Sequence, residues 1–124
     1  MGIIMENMSM EKIVMQALLY DFYGELLNAH QKAVYEDYVY NDIGISEIAE
    51  ERGISRQGVH DLIKRCSRIL QDYENKLHLV EKFQRTKELV ARINSLTEQF
   101  GKSNDLRLID EIKQISGHIL DDTF

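Results

Sequence analysis

Residues 45–64 read ISEIAEERGISRQGVHDLIK, and the placing of small, apolar and glycine residues within this stretch decides the fold. Ala49 stands where one helix must approach another closely. Gly53, four residues on, stands where a turn needs a positive φ, which glycine adopts without a Cβ clash. Ile54 beside it, Ser55 as an N-cap and the branched Val59 four residues beyond the cap complete a joint pattern, with Leu62 adding to the buried face of the second helix. The spacing predicts a helix-turn-helix, the two-helix unit whose second member lies in a nucleic-acid groove. An ordinary helical hairpin would use Ile45, Ile48, Ala49, Ile54, Val59, Leu62 and Ile63 equally well as core. The polar side of the second helix separates the two readings, because it carries Arg56, Gln57, His60, Lys64 and Arg68.

Outward from this motif the chain reads as helical throughout. It has 124 residues, no proline and seven glycines, a composition that allows long uninterrupted helices and one modest core. Upstream, Ile13, Val14, Ala17, Leu18 and Phe22 recur at helical spacing and predict a first helix from Glu11 to Leu27. Asn28 caps a second helix running to Tyr40, with Ala33, Val34, Tyr38 and Tyr35 turned inward. Asn41, Asp42 and Gly44 supply turn chemistry before Ser46 and Glu47 open the motif's first helix. The second helix of the motif extends from Ser55 to about Tyr73.

Downstream the pattern narrows. Leu79, Phe83, Thr86, Val90, Ile93, Thr97 and Phe100 alternate four and three apart, the seam of a long helix that Gly101 is expected to close. Lys102 to Asn104 connect it to a last helix begun by Asp105, whose stripe is Leu108, Ile109, Ile112, Ile115 and Ile119, with Leu106 or Leu120 beside it. So short a connection predicts antiparallel neighbours. The division expected is a frayed start over residues 1–10, a helix-turn-helix domain over 11–75 and a C-terminal helical hairpin over 76–124. The hairpin packs on the domain or on a second chain, and a homodimer is the preferred expectation.

The net charge is −6, but its distribution matters more than its sum. Residues 1–51 hold two basic and ten acidic side chains, residues 52–87 nine and four, and residues 88–124 four and seven. The positive block starts at the motif's turn and follows its second helix. A cationic stripe on an acidic protein captures phosphates locally while discouraging indiscriminate sticking; a solvated helix face is the bland account of the same charges.

Several functional classes lack a basis in the residues. The single Cys66 has no intramolecular partner and reads as a small buried hydrophobe. His30, His60, His78 and His118 stand too far apart for a metal site, so no metal or other cofactor is expected. No phosphate loop, nucleophile elbow or acid–base pair points to an enzyme. The start, MGIIMENMSM, has neither a basic leader nor a membrane-length apolar run, so a cytoplasmic protein is expected. Five of the six tyrosines fall in the first two helices, where packing competes with base stacking as their role.

With Asn28 to Leu77 in view, NAHQKAVYEDYVYNDIGISEIAEERGISRQGVHDLIKRCSRILQDYENKL resembles the promoter-reading region four of bacterial sigma factors. Together with the lead-in ALLYDFYGELLN and the hairpin from Phe83 to Leu120, the chain resembles the YlxM family from Lys12 onward. Those are small, sigma-like helix-turn-helix proteins encoded beside the genes for the signal recognition particle. The resemblance implies an all-α fold and a nucleic-acid-binding accessory or regulatory role in that particle's pathway, with the particle's RNA, DNA or the particle's protein as ligand. The chain departs from the sigma pattern at Gly58 and Asp61, where a hydroxyl and a basic residue are usual, and it lacks the parts of a sigma factor that contact polymerase.

The candidate interface is then set by position. Arg56 suits a guanine edge or a phosphate, and Gln57 has the amide geometry for adenine. Ser55 offers a hydroxyl or backbone N–H to phosphate, beside its role as cap. Arg52, Lys64, Arg65 and Arg68 are sequence-independent anchors, and His60 adds an imidazole to the same exposed side. Two alternatives use the same scaffold: an adaptor that docks on a secretion-pathway protein, and a DNA-binding transcriptional regulator.

Overall fold

The computed structural model describes the backbone of residues 2–123 and the side chains of residues 11–122. It is all-α, with no strand among the described residues. The helices are α1 (Gly2–Tyr23), α2 (Ala29–Val39), α3 (Ile45–Arg52), α4 (Arg56–Leu77), α5 (Leu79–Ser103) and α6 (Arg107–Thr123), and a 3₁₀ turn over Gly24–Leu26 follows α1. Two compact units divide between His78 and Leu79. The frayed start expected for residues 1–10 lies outside the residues whose side chains are described. No helix among the described residues is long and apolar enough to cross a membrane.

The first unit is built on tyrosines as much as on aliphatic residues. Val34, Tyr35, Ile48, Val59, Cys66 and Leu70 are fully buried, and Leu19, Tyr20, Tyr23, Leu27, Val39, Ala49 and Ile63 close around them. The inward face of α1 therefore differs from the stripe expected from its Ile, Val, Leu and Phe residues. Ile13, Val14 and Phe22 are exposed, and Gln16, Leu19, Tyr20 and Tyr23 point inward. The physical reason is that each inward polar head finds a partner: Tyr20 Oη donates to Glu36 Oε1 at 2.5 Å, Tyr23 Oη to Glu74 Oε1 at 2.6 Å, and Gln16 Nε2 to Ser67 Oγ at 3.2 Å. A satisfied hydroxyl removes most of the penalty of burying a tyrosine and leaves its large apolar ring to stabilise the core. Tyr20 stacks on Tyr35 with ring centroids 5.7 Å apart, and Tyr23 on Tyr73 at 6.0 Å.

The local signals at helix ends act as their chemistry dictates. Asn28 forms a capping box, its side chain accepting from Gln31 N at 2.8 Å while the Gln31 side chain accepts from Asn28 N at 3.0 Å. The first helix stops at Tyr23 rather than Leu27, the last residues tightening into the 3₁₀ turn. The fourth runs past Tyr73 to Leu77 because nothing interrupts it, and ends at His78 in the left-handed region with φ 57°.

The second unit is the antiparallel hairpin of α5 and α6. An ion pair between Arg85, early in α5, and Asp122, late in α6, fixes its sense at 3.2 Å. Gly101 does not close α5: the helix continues through it to Ser103, and Asn104 takes the left-handed position with φ 54°. Asparagine tolerates that conformation, so a glycine was not required to close the helix. The seam also shifts. Leu89 and Leu96 turn inward with Ile93 and Phe100, whereas Leu79, Phe83, Val90 and Thr97 of the expected seam are exposed. Thr97 Oγ1 donates to the Ile93 carbonyl at 2.7 Å, satisfying its hydroxyl on the helix surface. On α6 the inward residues are Leu108, Ile112, Ile115 and Ile119; Leu106, Ile109 and Leu120 stay exposed. Asp105 Oδ1 accepts from Arg107 N at 3.0 Å and opens the helix. The guanidinium of Arg107 holds that carboxyl below its ordinary range.

Candidate nucleic-acid interface

The corner between α3 and α4 has the geometry that the motif requires. Gly53 lies at φ 67°, ψ 32°, and its N–H returns to the Ala49 carbonyl. The N–H of Ile54 donates to the same carbonyl at 3.1 Å, so one oxygen of α3 holds both residues of the turn. No atom stands within 4 Å of where a Cβ on Gly53 would project. Glycine is needed for the torsion, not for space. Ala49 and Ile48 are buried on the α3 side, Val59 and Ile63 on the α4 side.

Ser55 acts as the N-cap of α4, its Oγ accepting from Gly58 N at 2.9 Å. A Cβ at Gly58 would come within 3.0 Å of that oxygen. The glycine that departs from the sigma pattern thus leaves room for the cap. Beyond it α4 is divided lengthwise. At 100° per residue, Val59, Ile63, Cys66 and Leu70 fall on the buried side and Gln57, Asp61, Lys64, Arg65 and Arg68 on the opposite arc, with His60 at its edge and Arg56 nearer the buried side but exposed at the helix start.

Each expected site residue, Arg52, Ser55, Arg56, Gln57, His60, Lys64, Arg65 and Arg68, is exposed, but they are not equally free. Arg52 is in an ion pair with Asp37 of α2 at 3.0 Å, in which Asp37 is only 13% exposed. Gln57 Nε2 donates to Asp61 Oδ1 at 2.9 Å, so one end of its amide is engaged. His60 Nδ1 lies 3.9 Å from the same carboxylate. Arg56, Lys64, Arg65 and Arg68 have no ion-pair partner among the described residues. Lys64, Arg65 and Arg68 line a small polar hollow with Asp61 as its one acid. The arrangement is a cationic ridge interrupted by a single carboxylate.

Two features beside this ridge were not legible in the sequence. The tie of Arg52 to Asp37 spans two helices and leaves no local signal. Next to His60 and Lys64, a groove of about 310 Å³ opens between α1, α2, α3 and α4, lined in part by Lys12, Gln16, Tyr38 and Ser67. The only hint was chemical: a glutamine and a serine at inward positions of two helices.

Buried groups nearby titrate late. Burial pushes the Cys66 thiol up to about 11 and the Tyr35 hydroxyl up to about 12, although the Ser67 contact pulls Tyr35 back. A thiolate is disfavoured at Cys66, as expected for a structural rather than a reactive cysteine. Among the described residues no group of three His, Cys, Asp or Glu side chains is placed to hold a metal.

Comparison with known proteins agrees with this geometry. Residues 10–115 match the UPF0122 family, described as "Putative helix-turn-helix protein, YlxM / p13 like". A UPF0122 protein of Clostridium acetobutylicum is 38% identical over 109 residues, covering 85% of this chain and 94% of its own. One from Bacillus licheniformis is 39% identical over 108 residues, 87% of this chain and 99% of its own, and one from Bacillus velezensis is 44% identical over 89 residues, 72% and 81%. The glycine corner, the capped second helix and the matches across most of the chain lead to one statement: this protein belongs to the UPF0122 family of YlxM/p13-like helix-turn-helix proteins.

Proposed function

We propose that the protein is a nucleic-acid-binding accessory or regulatory protein that uses the exposed arc of α4. The observation that carries this reading is the set of four cations, Arg56, Lys64, Arg65 and Arg68, exposed and without ion-pair partners among the described residues, on the second helix of a helix-turn-helix. Phosphate contacts from Lys64, Arg65 and Arg68 position the helix, and Arg56 near its capped start addresses a base edge or phosphate. Arg52 contributes less than its charge suggests, because Asp37 holds it. The YlxM resemblance extends the proposal to the signal recognition particle pathway in the cytoplasm, with the particle's RNA or DNA as ligand and the particle's protein as a further partner. Exposed Val90, Leu106, Ile109 and Leu120 on the hairpin support a homodimer that covers them. Sedimentation at micromolar concentration tests this, and a strict monomer rejects it.

Mobility shifts with duplex DNA and with the particle's RNA, using wild type and Arg56→Glu/Lys64→Glu, test the main proposal. Loss of binding in the variant is expected; equal binding rejects the ridge. Asp61 within the ridge favours a second reading, an adaptor whose mixed-charge face docks on a protein of the pathway. Capture of the particle's protein in the absence of RNA, unaffected by nuclease, is the result expected of that reading.

A further inference from the structure

The groove beside α4 combines three surfaces. Its walls include the half-buried ring of Tyr38 and the side chain of Ile63. Its lining also includes Gln16 and Ser67, one from α1 and one from α4. Lys12 and Lys64, both exposed, supply positive charge. A volume of about 310 Å³ lies at the small end of the range for ligand sites, ~300–1,000 Å³.

The lining holds an unused polar group. Gln16 is 9% exposed, its Nε2 donates to Ser67 Oγ, and its Oε1 is buried without a hydrogen-bond partner among the described residues. Ser67 is also tied to Tyr35 Oη at 2.9 Å. Turning the amide round would only exchange the ends: one would meet Ser67 and the other would be left over. A buried amide with one end unsatisfied is costly, and a ligand edge that completes it gains the corresponding stabilisation.

We propose that this groove binds a nucleotide, its base against Tyr38 and Ile63, its Watson–Crick edge hydrogen-bonded to the Gln16 amide, and its phosphate directed to Lys12 and Lys64. A flat, largely apolar body with a polar edge and an anionic phosphate is the chemistry these surfaces share. Bases splayed from single strands are recognised by this combination of aromatic contact and edge hydrogen bonding. Where the nucleotide comes from rests on the nucleic-acid reading above: an unpaired nucleotide of a bound RNA and a free mononucleotide present the same groups.

The test is a heteronuclear NMR titration of the full chain with AMP, GMP, CMP and UMP, with inorganic phosphate alone, and with a short single-stranded oligoribonucleotide. The expected result is movement of the backbone amides of Gln16, Tyr38 and Ser67 with at least one mononucleotide or with the oligonucleotide, and not with phosphate alone. A response to the oligonucleotide only makes RNA the source. Gln16→Met, which keeps the side-chain volume, weakens the response about fivefold, the worth of one hydrogen bond; Lys12→Gln, on an exposed position, weakens it without touching the core. Phosphate reproducing the nucleotide's shifts, or groove amides that stay still with every probe, overturns the nucleotide site. Salt-dependent RNA binding with a silent groove rejects this site and leaves the α4 ridge standing. A groove that answers a mononucleotide, in a protein whose RNA and DNA binding ignores Arg56→Glu/Arg68→Glu, neither of which lines the groove, rejects the ridge alone.

Discussion

The salt dependence of binding follows from which cations are already spoken for. Of the five basic side chains proposed along the corner and α4, Arg52 is neutralised by Asp37 at 3.0 Å, leaving Arg56, Lys64, Arg65 and Arg68 for phosphates. At about −0.9 per neutralised phosphate, four contacts predict a slope of log K on log salt of about −3.6 for duplex DNA, and about −2.8 for single strands at about −0.7 each. Raising salt fourfold should then weaken duplex binding about 150-fold. Fluorescence anisotropy over a salt series reads this slope directly. Lys64→Gln should make it shallower by about 0.9, whereas Arg52→Gln should leave it nearly unchanged, because that charge was never offered to the ligand. A wild-type slope shallower than about −1 would mean that phosphates are not neutralised by this ridge. An Arg52→Gln effect as large as that of Lys64→Gln would mean that the Asp37 pair opens on binding.

Three further expectations concern the scaffold. Gly53→Ala forces a left-handed alanine and should destabilise the protein by about 1–2 kcal/mol, while Gly101→Ala, inside α5 with no atom within 4 Å of the new Cβ, should be neutral or stabilising by up to about 1 kcal/mol; urea unfolding reads both, and equal effects would refute the assignment of the two glycines. Leu70→Ala, fully buried at 0% exposure, should cost about 2–5 kcal/mol, and a loss below about 1 kcal/mol in the urea midpoint analysis would contradict its place in the core. Stability should also fall at high pH. Cys66 and Tyr35 have folded-state values raised from 9.0 to about 11 and from 10.0 to about 12, so the unfolded chain releases these protons first; their contribution is whole below about pH 9 and is lost as pH rises through 11 to 12. A urea midpoint that stays constant across that window would refute the burial of both groups.

How much of this was legible in the sequence depended on how local the signal was. The turn needed only five residues between Ala49 and Val59, namely Ala49, Gly53, Ile54, Ser55 and Val59, and each has a conformational or packing demand that few other residues meet. Asn28 and Ser55 announced their helices for the same reason: a cap's partner is three residues away. The inward face of α1 was misread because tyrosine and glutamine count as polar in a hydrophobic pattern, whereas Tyr20, Tyr23 and Gln16 become core once Glu36, Glu74 and Ser67 receive their polar heads. Those partners lie 16 to 51 residues away, and no local window contains them. The hairpin seam departed from the expected one at Val90 and Thr97, where the neighbouring Leu89 and Leu96 turn inward, and at Leu79 and Phe83, which are exposed, since adjacent apolar or near-apolar positions satisfy the same alternation. For the candidate site, exposure of the cations followed from the helical arc, but their availability did not. Asp37 and Asp61 decide which side chains are occupied, and only the assembled helices bring Asp37 to Arg52.

One consequence lies in α4 itself. It is a single helix of 22 residues, about 33 Å from end to end, and no proline or glycine interrupts it after Gly58. Near one extremity sits the capped start with Arg56; near the other, the Glu74 carboxylate receives the Tyr23 hydroxyl in the interior. A stiff rod moored at its stern cannot flex its bow to suit an awkward surface. Selection between ligands should therefore be made by the contour of the nucleic acid, which must yield to the protein, rather than by the protein yielding to it.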